Sequence, residues 1–238
     1  MKKFEEELTS IWSFEERGNW ETHKGDYPGN CSPKVIRNLI IKYTKENDIV
    51  LDQFIGSGTT AIEALLLNRR VIGIDINKKA LNICNSRIKN LKGYNKIQLG
   101  NAESLKLQNN CIDFICTHPP YLDIIKYSEN NKNDLSLFNK EDYYNAITKV
   151  AQECYRVLKN NCKCAIIIGD VRKKGYIEPL GFNVMKIFID CGFKLKEIII
   201  KEQHNCKSTQ KWIDIAKERN FLLIKHEYIF VFAKNYFK

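Results

Sequence analysis

The 238-residue chain lacks several things that would settle its class at once. None of its nine cysteines forms a CxxC pair, and Cys116 and Cys164 fall inside apolar runs, so neither a disulfide framework nor a zinc site is expected. The single Cys-x-Cys, Cys162 and Cys164, opens a strand and carries no metal expectation. No apolar run is long enough to cross a membrane, and the first residues, MKKFEEELTSIW, lack the apolar centre of a signal peptide. A reduced, cytoplasmic setting is the expectation. Internal repeats are absent, and no block of basic residues stands out although the net charge is +10 and the pI about 9.1. That excess suits a polyanionic partner such as nucleic acid, and equally a solvated basic surface.

Proline is scarce as well, with 5 in the chain, yet two of them are consecutive in FICTHPPYLDIIKYSE. The run begins as a buried strand. Pro119 and Pro120 donate nothing to a ladder and hold the chain extended, so they stop the strand and stiffen the segment beyond it.

From residue 49 onward, strand-like and helix-like patterns alternate. IVLDQF, VIGIDI, KIQLG, IDFICTH and CKCAIIIGD are apolar, β-branched runs, separated by GTTAIEALLLN, NKKALNICNSRIKNL and KEDYYNAITKVAQECYRVLK at helical spacing. A helix around GFNVMKIFIDCGF and two strands, KLKEIIIKEQ and EYIFVFAK, close the chain. This order predicts an α/β fold of one domain with a mostly parallel sheet. The last two strands are expected to pair antiparallel through a long loop, HNCKSTQKWIDIAKERN. Residues 1–45 are expected to form an arm and a closing helix, and 46–238 the catalytic unit, with insertions near 122–140 and 204–225.

In DQFIGSGTTA, Gly56 and Gly58 lie between the first of these strands and its helix, where a ligand can approach the backbone and helix N–H groups face it. Asp75 ends the next strand, placed to accept the hydroxyls of a ribose. Gly56-x-Gly58-x-x-Ala61 with that acid also fits a dinucleotide-binding dehydrogenase. Both readings bind a nucleoside.

The longer stretch LDQFIGSGTTAIEALLLNRRVIGIDIN resembles the S-adenosylmethionine site of DNA amino-methyltransferases, whose usual form is D-P-F-x-G-S-G-T-T, with Gln53 here in place of the proline. THPPY resembles their (Asp/Asn/Ser)-Pro-Pro-(Tyr/Phe/Trp) motif, with His118 at the first position. KHEYIFVFAK is similar to their closing strand. The resemblance implies a Rossmann-like class I methyltransferase with a seven-stranded sheet ordered 3-2-1-4-5-7-6, one strand antiparallel. It implies that Asp52, Gly56, Ser57 and Gly58 surround the methionine part of the cofactor, and that Phe54, Thr59, Thr60, Ile76 and Ala102 also bind the cofactor. Asp75 would lie at the ribose and Asn101 at the adenine, and Ser32 and Pro33 would begin a helix closing over the cofactor.

Methylating an exocyclic amine is difficult because its lone pair is delocalised into the ring. Hydrogen-bond acceptors around the amino group favour a pyramidal, attacking nitrogen. His118, Pro119, Pro120 and Tyr121 are the residues expected to do this: a neutral imidazole accepts one bond, a proline carbonyl another, and Tyr121 stacks on the base. Thr117 before His118 is nearest the cytosine-N4 form, which is favoured over adenine N6. Double-stranded DNA is the expected substrate. An RNA methyltransferase of the tRNA guanine-N2 type, a protein-glutamine methyltransferase and a catalytically silent binding module are the other readings, the last prompted by His118.

No segment has the size of a separate target-recognition domain. Base reading would then fall to the arm (Trp12, Phe14, Trp20), the insertion after the prolines, and the final loop (His204, Asn205, Trp212). Lys126, Lys132, Arg172, Lys173, Lys174, Lys207 and Lys211 are candidate phosphate contacts.

Overall fold

A computed structural model describes residues 4, 6–205 and 209–234. After a short strand β1 (Ile11–Trp12), helix α1 (Pro33–Tyr43) begins with Ser32 as its cap and Pro33 at its first turn. Next come β2 (Ile49–Asp52), α2 (Thr59–Leu66), β3 (Arg70–Asp75), α3 (Lys78–Ile88), β4 (Asn95–Leu99) and β5 (Ile112–Thr117). A 3-10 turn (Leu135–Leu137) precedes α4 (Lys140–Val157) and β6 (Leu158–Ile168). The chain ends with a hairpin of β7 (Val171–Lys173) and β8 (Tyr176–Glu178), then α5 (Leu180–Asp190), β9 (Lys194–Glu202), α6 (Thr209–Arg219) and β10 (His226–Ala233).

The main sheet runs β1-β9-β10-β6-β5-β2-β3-β4. Its seven long strands have the expected order, with β10 antiparallel to both β6 and β9. The expected count of seven is short by one, because β1 pairs in parallel with the edge strand β9, Ile11 facing Ile200 and Trp12 facing Lys201. Two residues give no periodicity to detect. Nor is the connection from β9 to β10 a plain loop, since α6 lies within it. Its apolar residues are too few to mark a face: Trp212 is half exposed, and Ala216 alone among its described side chains is buried.

Apolar side chains cover both faces of the sheet, as a largely parallel sheet requires. Leu51, Ile115, Ile166 and Phe230 pack with α4 and α5 on one face; Val50, Phe114, Ala165 and Ile229 pack with α1, α2 and α3 on the other. Each fully buried large side chain contributes about 1.5–3 kcal/mol.

The arm is anchored to this body. Trp12 is buried with its indole N–H donating to Thr9 O at 2.8 Å. On the fully buried Glu63 of α2 converge Trp20 Nε1 at 2.8 Å, His23 Nε2 at 2.7 Å and Arg37 of α1 at 2.9 Å. Trp12 and Trp20 are thus structural anchors, and Phe14 packs edge-on against Trp12. Among the described residues, no helix is long and apolar enough to cross a membrane, and no group of three or more His, Cys, Asp or Glu is placed to hold a metal.

Candidate active site

The glycine turn leaves β2 with Gly56 at φ 50° and Gly58 at φ 93°, both in the left-handed region. Gly58 caps α2 through its backbone alone, so the first N–H groups of that helix stay open toward the crevice. A Cβ on Gly58 would lie 2.7 Å from Cys84 Sγ and 3.3 Å from Cys84 Cα. Its requirement is therefore close packing against α3, and Gly58 does not line the cavity.

The cavity beside the turn encloses about 840 Å³ of space, its open mouth included. Asp52, Phe54, Gly56, Ser57, Thr59, Thr60, Asp75, Ile76, Asn101 and Ala102 all border it. Ser32 and Pro33 do not. Ser32 is turned away to donate to Arg17 O at 2.7 Å, and α1 contributes Ile36 in their place. Two segments complete the wall: Tyr27 to Cys31 from the arm, and Tyr127 with Asn133, Asp134 and Leu135 from the insertion. They meet where the rings of Tyr27 and Tyr127 stack, 6.3 Å between centroids. Parts of two segments expected to read bases thus border this cavity.

Asp52 is buried and accepts three bonds: Phe54 N at 3.0 Å, Thr60 Oγ1 at 2.7 Å and Thr117 Oγ1 at 2.7 Å. Burial pushes its pKa up to about 6 in spite of these donors. Asp75 accepts from Gly56 N at 2.9 Å and Asn77 N at 2.8 Å, and burial raises its pKa too. Gln53 donates to Cys154 Sγ at 2.9 Å, which leaves Gln53 Oε1 without a partner. Ser57 Oγ and Thr59 Oγ1 are also buried and, among the described residues, unpartnered, and all three residues border the cavity. Orphaned polar atoms of this kind need explanation. They fit S-adenosylmethionine: two hydroxyls and the N-terminus of α2 for the methionine carboxylate, Gln53 Oε1 and Asp52 for its cationic groups, Asp75 for the ribose.

His118, Pro119, Pro120 and Tyr121 come directly after β5. Pro120 borders the first cavity; Pro119 and Tyr121 border a second one, of about 930 Å³ empty volume; His118 borders both. The Pro120 carbonyl is already taken by Tyr143 Oη of α4 at 2.6 Å. Leu122, buried behind the motif, has φ 51°, a strained value for leucine that turns the chain sharply after Tyr121.

Tyr121 is not a loose ring. Its hydroxyl lies 2.6 Å from His118 Nε2 and donates to Glu227 Oε1 of β10 at 2.9 Å, while Lys201 of β9 donates to Glu227 Oε2 at 2.9 Å. Burial lowers the His118 pKa and raises that of Tyr121. Burial would also raise Glu227, but Lys201 and the bonds from Lys201 and Tyr121 outweigh it and hold the carboxyl below its ordinary range. Sequence reasoning passed over Glu227 and Lys201. The available signal was an acid beginning the apolar run EYIFVFA and a lysine ending IIIK.

Of the candidate phosphate contacts, Arg172 is committed to the fold, donating to Gly175 O at 2.8 Å and Leu222 O at 3.0 Å. Lys173 pairs with Asp123 at 2.6 Å. Lys126, Lys132, Lys174 and Lys211 are exposed, and Lys207 lies outside the described residues. His204 Nε2 lies 2.9 Å from Ser13 Oγ, and Asn205 donates to Glu15 O at 2.9 Å, so both fasten the arm.

Known proteins resemble the chain in both fold and sequence. A crystal structure of an S-adenosylmethionine-dependent methyltransferase from Methanosarcina mazei superposes with a TM-score of 0.58 at 16% identity, covering 83% of this chain and 97% of that one. A phosphoethanolamine N-methyltransferase from Haemonchus contortus, in complex with S-adenosylmethionine, gives 0.53 at 15% identity over 88% of this chain and 55% of its own. These show the Rossmann-like methyltransferase fold. In sequence, a type II methyltransferase of Lactococcus lactis subsp. cremoris, M2.LlaDCHI, is 36% identical over 90 residues, 37% of this chain and 34% of the relative. A tRNA (guanine(10)-N2)-dimethyltransferase of Methanothermobacter thermautotrophicus is 35% identical over 100 residues, 40% of this chain and 29% of the relative. Each match spans only about a third of the relative's length. The sequence profile described as DNA methylase, by contrast, matches residues 1–86 and 112–238, most of the chain. This chain belongs to the DNA methylase family.

Proposed function

We propose that this protein transfers a methyl group from S-adenosylmethionine to the exocyclic amino group of cytosine or adenine in DNA. The observation that carries the reading is the position of His118, which borders both the cavity beside the glycine turn and the second one. The cofactor supplies an electrophilic sulfonium methyl, and the electron pair of the broken carbon–sulfur bond stays on sulfur. His118 and the Pro119 carbonyl accept hydrogen bonds from the amino group, and His118 takes the proton that the amine loses. Burial keeps the imidazole neutral, as an acceptor must be.

The target base would enter the second cavity beside Tyr121, Ile124 and Ile125. In duplex DNA that base must leave the stack at a cost of a few kcal/mol. The β7–β8 hairpin supplies a surface to offset it: Lys174 and Gly175 form its turn, and Tyr176 is 82% exposed. Cytosine N4 is favoured because Thr117 precedes His118, as in Thr-Ser-Pro-Pro-Tyr sequences. RNA is the second reading, favoured by the resemblance to the archaeal tRNA enzyme.

Single-molecule sequencing of DNA from a bacterium expressing the protein tests this. Modified cytosine or adenine in one fixed sequence context is the expected result. Unmodified DNA together with newly methylated guanine in tRNA would transfer the assignment to RNA.

A further inference from the structure

The histidine in the motif raises a chemical problem that an aspartate, asparagine or serine would not. A neutral imidazole accepts through one ring nitrogen only, and which one depends on where its proton sits. The wrong tautomer would offer the amine an N–H.

The bonds around His118 fix the proton. Lys201 and Glu227 are directly opposed on β9 and β10, so their side chains share a face of the sheet. Lys201 donates to Glu227 Oε2, and Glu227 Oε1 is a carboxylate oxygen that can only accept. The Tyr121 hydroxyl must therefore spend its single proton on Glu227. It then meets His118 Nε2 at 2.6 Å with a lone pair, so Nε2 must be the nitrogen that carries hydrogen. His118 Nδ1 is left bare, and it makes no hydrogen bond among the described residues. His118 borders both cavities.

We infer that Glu227, acting through the Tyr121 hydroxyl, is a positioning residue that sets His118 in the Nε2–H tautomer and makes Nδ1 the acceptor for the substrate's amino proton. The inference rests on the proposed transfer to an amine. Tyr121 is on this account primarily a hydrogen-bond relay, and Lys201 keeps Glu227 ionised. When the amine loses its proton to Nδ1, the resulting imidazolium is stabilised by Glu227 through the same two bonds.

The substitution Glu227→Gln makes a specific prediction. Lys201 has only protons to offer, so it claims the amide oxygen and turns the amide NH₂ toward Tyr121. The hydroxyl then donates to His118 Nε2, and the ring proton moves to Nδ1. Tyr121→Phe removes the relay and keeps the ring, so neither tautomer is held.

The test is nitrogen-15 NMR of the imidazoles in the full-length protein without substrate, with His118→Asn identifying its signals among the four histidines. Wild type is expected to show protonated Nε2 and bare Nδ1; Glu227→Gln the reverse; Tyr121→Phe a mixture. Cofactor affinity, measured by calorimetry, stays within about threefold in both variants and reports that they are folded. In the transfer assay kcat falls by about 10² or more for Glu227→Gln, with KM for the cofactor unchanged, as expected for an inverted tautomer. A wild-type His118 protonated on Nδ1, or a tautomer that neither substitution moves in a folded protein, overturns the inference. Because the NMR result needs no substrate, it stands or falls separately from the identity of the methyl acceptor.

Discussion

The Thr117 hydroxyl donates to Asp52 Oδ1 at 2.7 Å, which joins the end of β2, where the glycine turn begins, to the residue before His118. The glycine turn and the proline motif are thus one hydrogen-bonded unit, and Asp52 borders the cavity. Its pKa of about 6 is above the ordinary carboxylate value, so the folded protein keeps a proton that the unfolded chain releases. Stability from this group is present at low pH and lost as pH rises through about 6. A cationic ligand prefers the charged carboxylate, so binding works the other way. Calorimetry should show S-adenosylmethionine affinity rising as pH increases through about 6 and then levelling, and Asp52→Asn should flatten that profile.

Gly58→Ala places a methyl group 2.7 Å from the Cys84 sulfur, on a backbone at φ 93°. Chemical denaturation should report a loss of about 1–3 kcal/mol, and cofactor binding should weaken with it. Gly175→Ala, also at positive φ but with open space around its Cβ, should cost less and leave cofactor binding intact.

Glu63 is fully buried and receives bonds from Trp20, His23 and Arg37. Removing it strands the half-buried Arg37 guanidinium and two further donors, Trp20 and His23. Glu63→Ala should destabilise by about 3–5 kcal/mol. Limited proteolysis of the variant should cut first within residues 13–31, because the arm loses its main fixed point.

Lys126 and Lys174 are exposed on the insertion and on the hairpin turn. Substituting each with alanine should weaken DNA binding to all sequences alike, and should lower the slope of log affinity against log salt by about 1 per lysine. Thermal stability should be unchanged. Arg172→Ala should instead lower stability, because its guanidinium bonds the hairpin turn and Leu222.

The seven long strands were legible as apolar or β-branched runs, their order through the resemblance to DNA amino-methyltransferases, and the glycine turn through Gly56 and Gly58 with Asp75 at the end of the next strand. The features that escaped notice were short or defined by distant partners. β1 spans two residues, and α6 buries too little to show a period. The β7–β8 hairpin turns on Lys174 and Gly175, both at positive φ, a conformation that lysine does not advertise. Glu227 is 106 residues from Tyr121, and no local pattern could join them. Ser32 and Pro33 were read for their capping chemistry, which the helix does use. That chemistry places them at the start of α1 without aiming them into the cavity.

The most direct test is to incubate purified protein with methyl-labelled S-adenosylmethionine and either unmethylated genomic DNA or total RNA, then digest and identify labelled nucleosides by mass spectrometry. The account predicts label in N4-methyldeoxycytidine or N6-methyldeoxyadenosine from DNA, and its loss in a His118→Ala variant that still binds cofactor. Label confined to RNA, or no label in either despite measured cofactor binding, would contradict it.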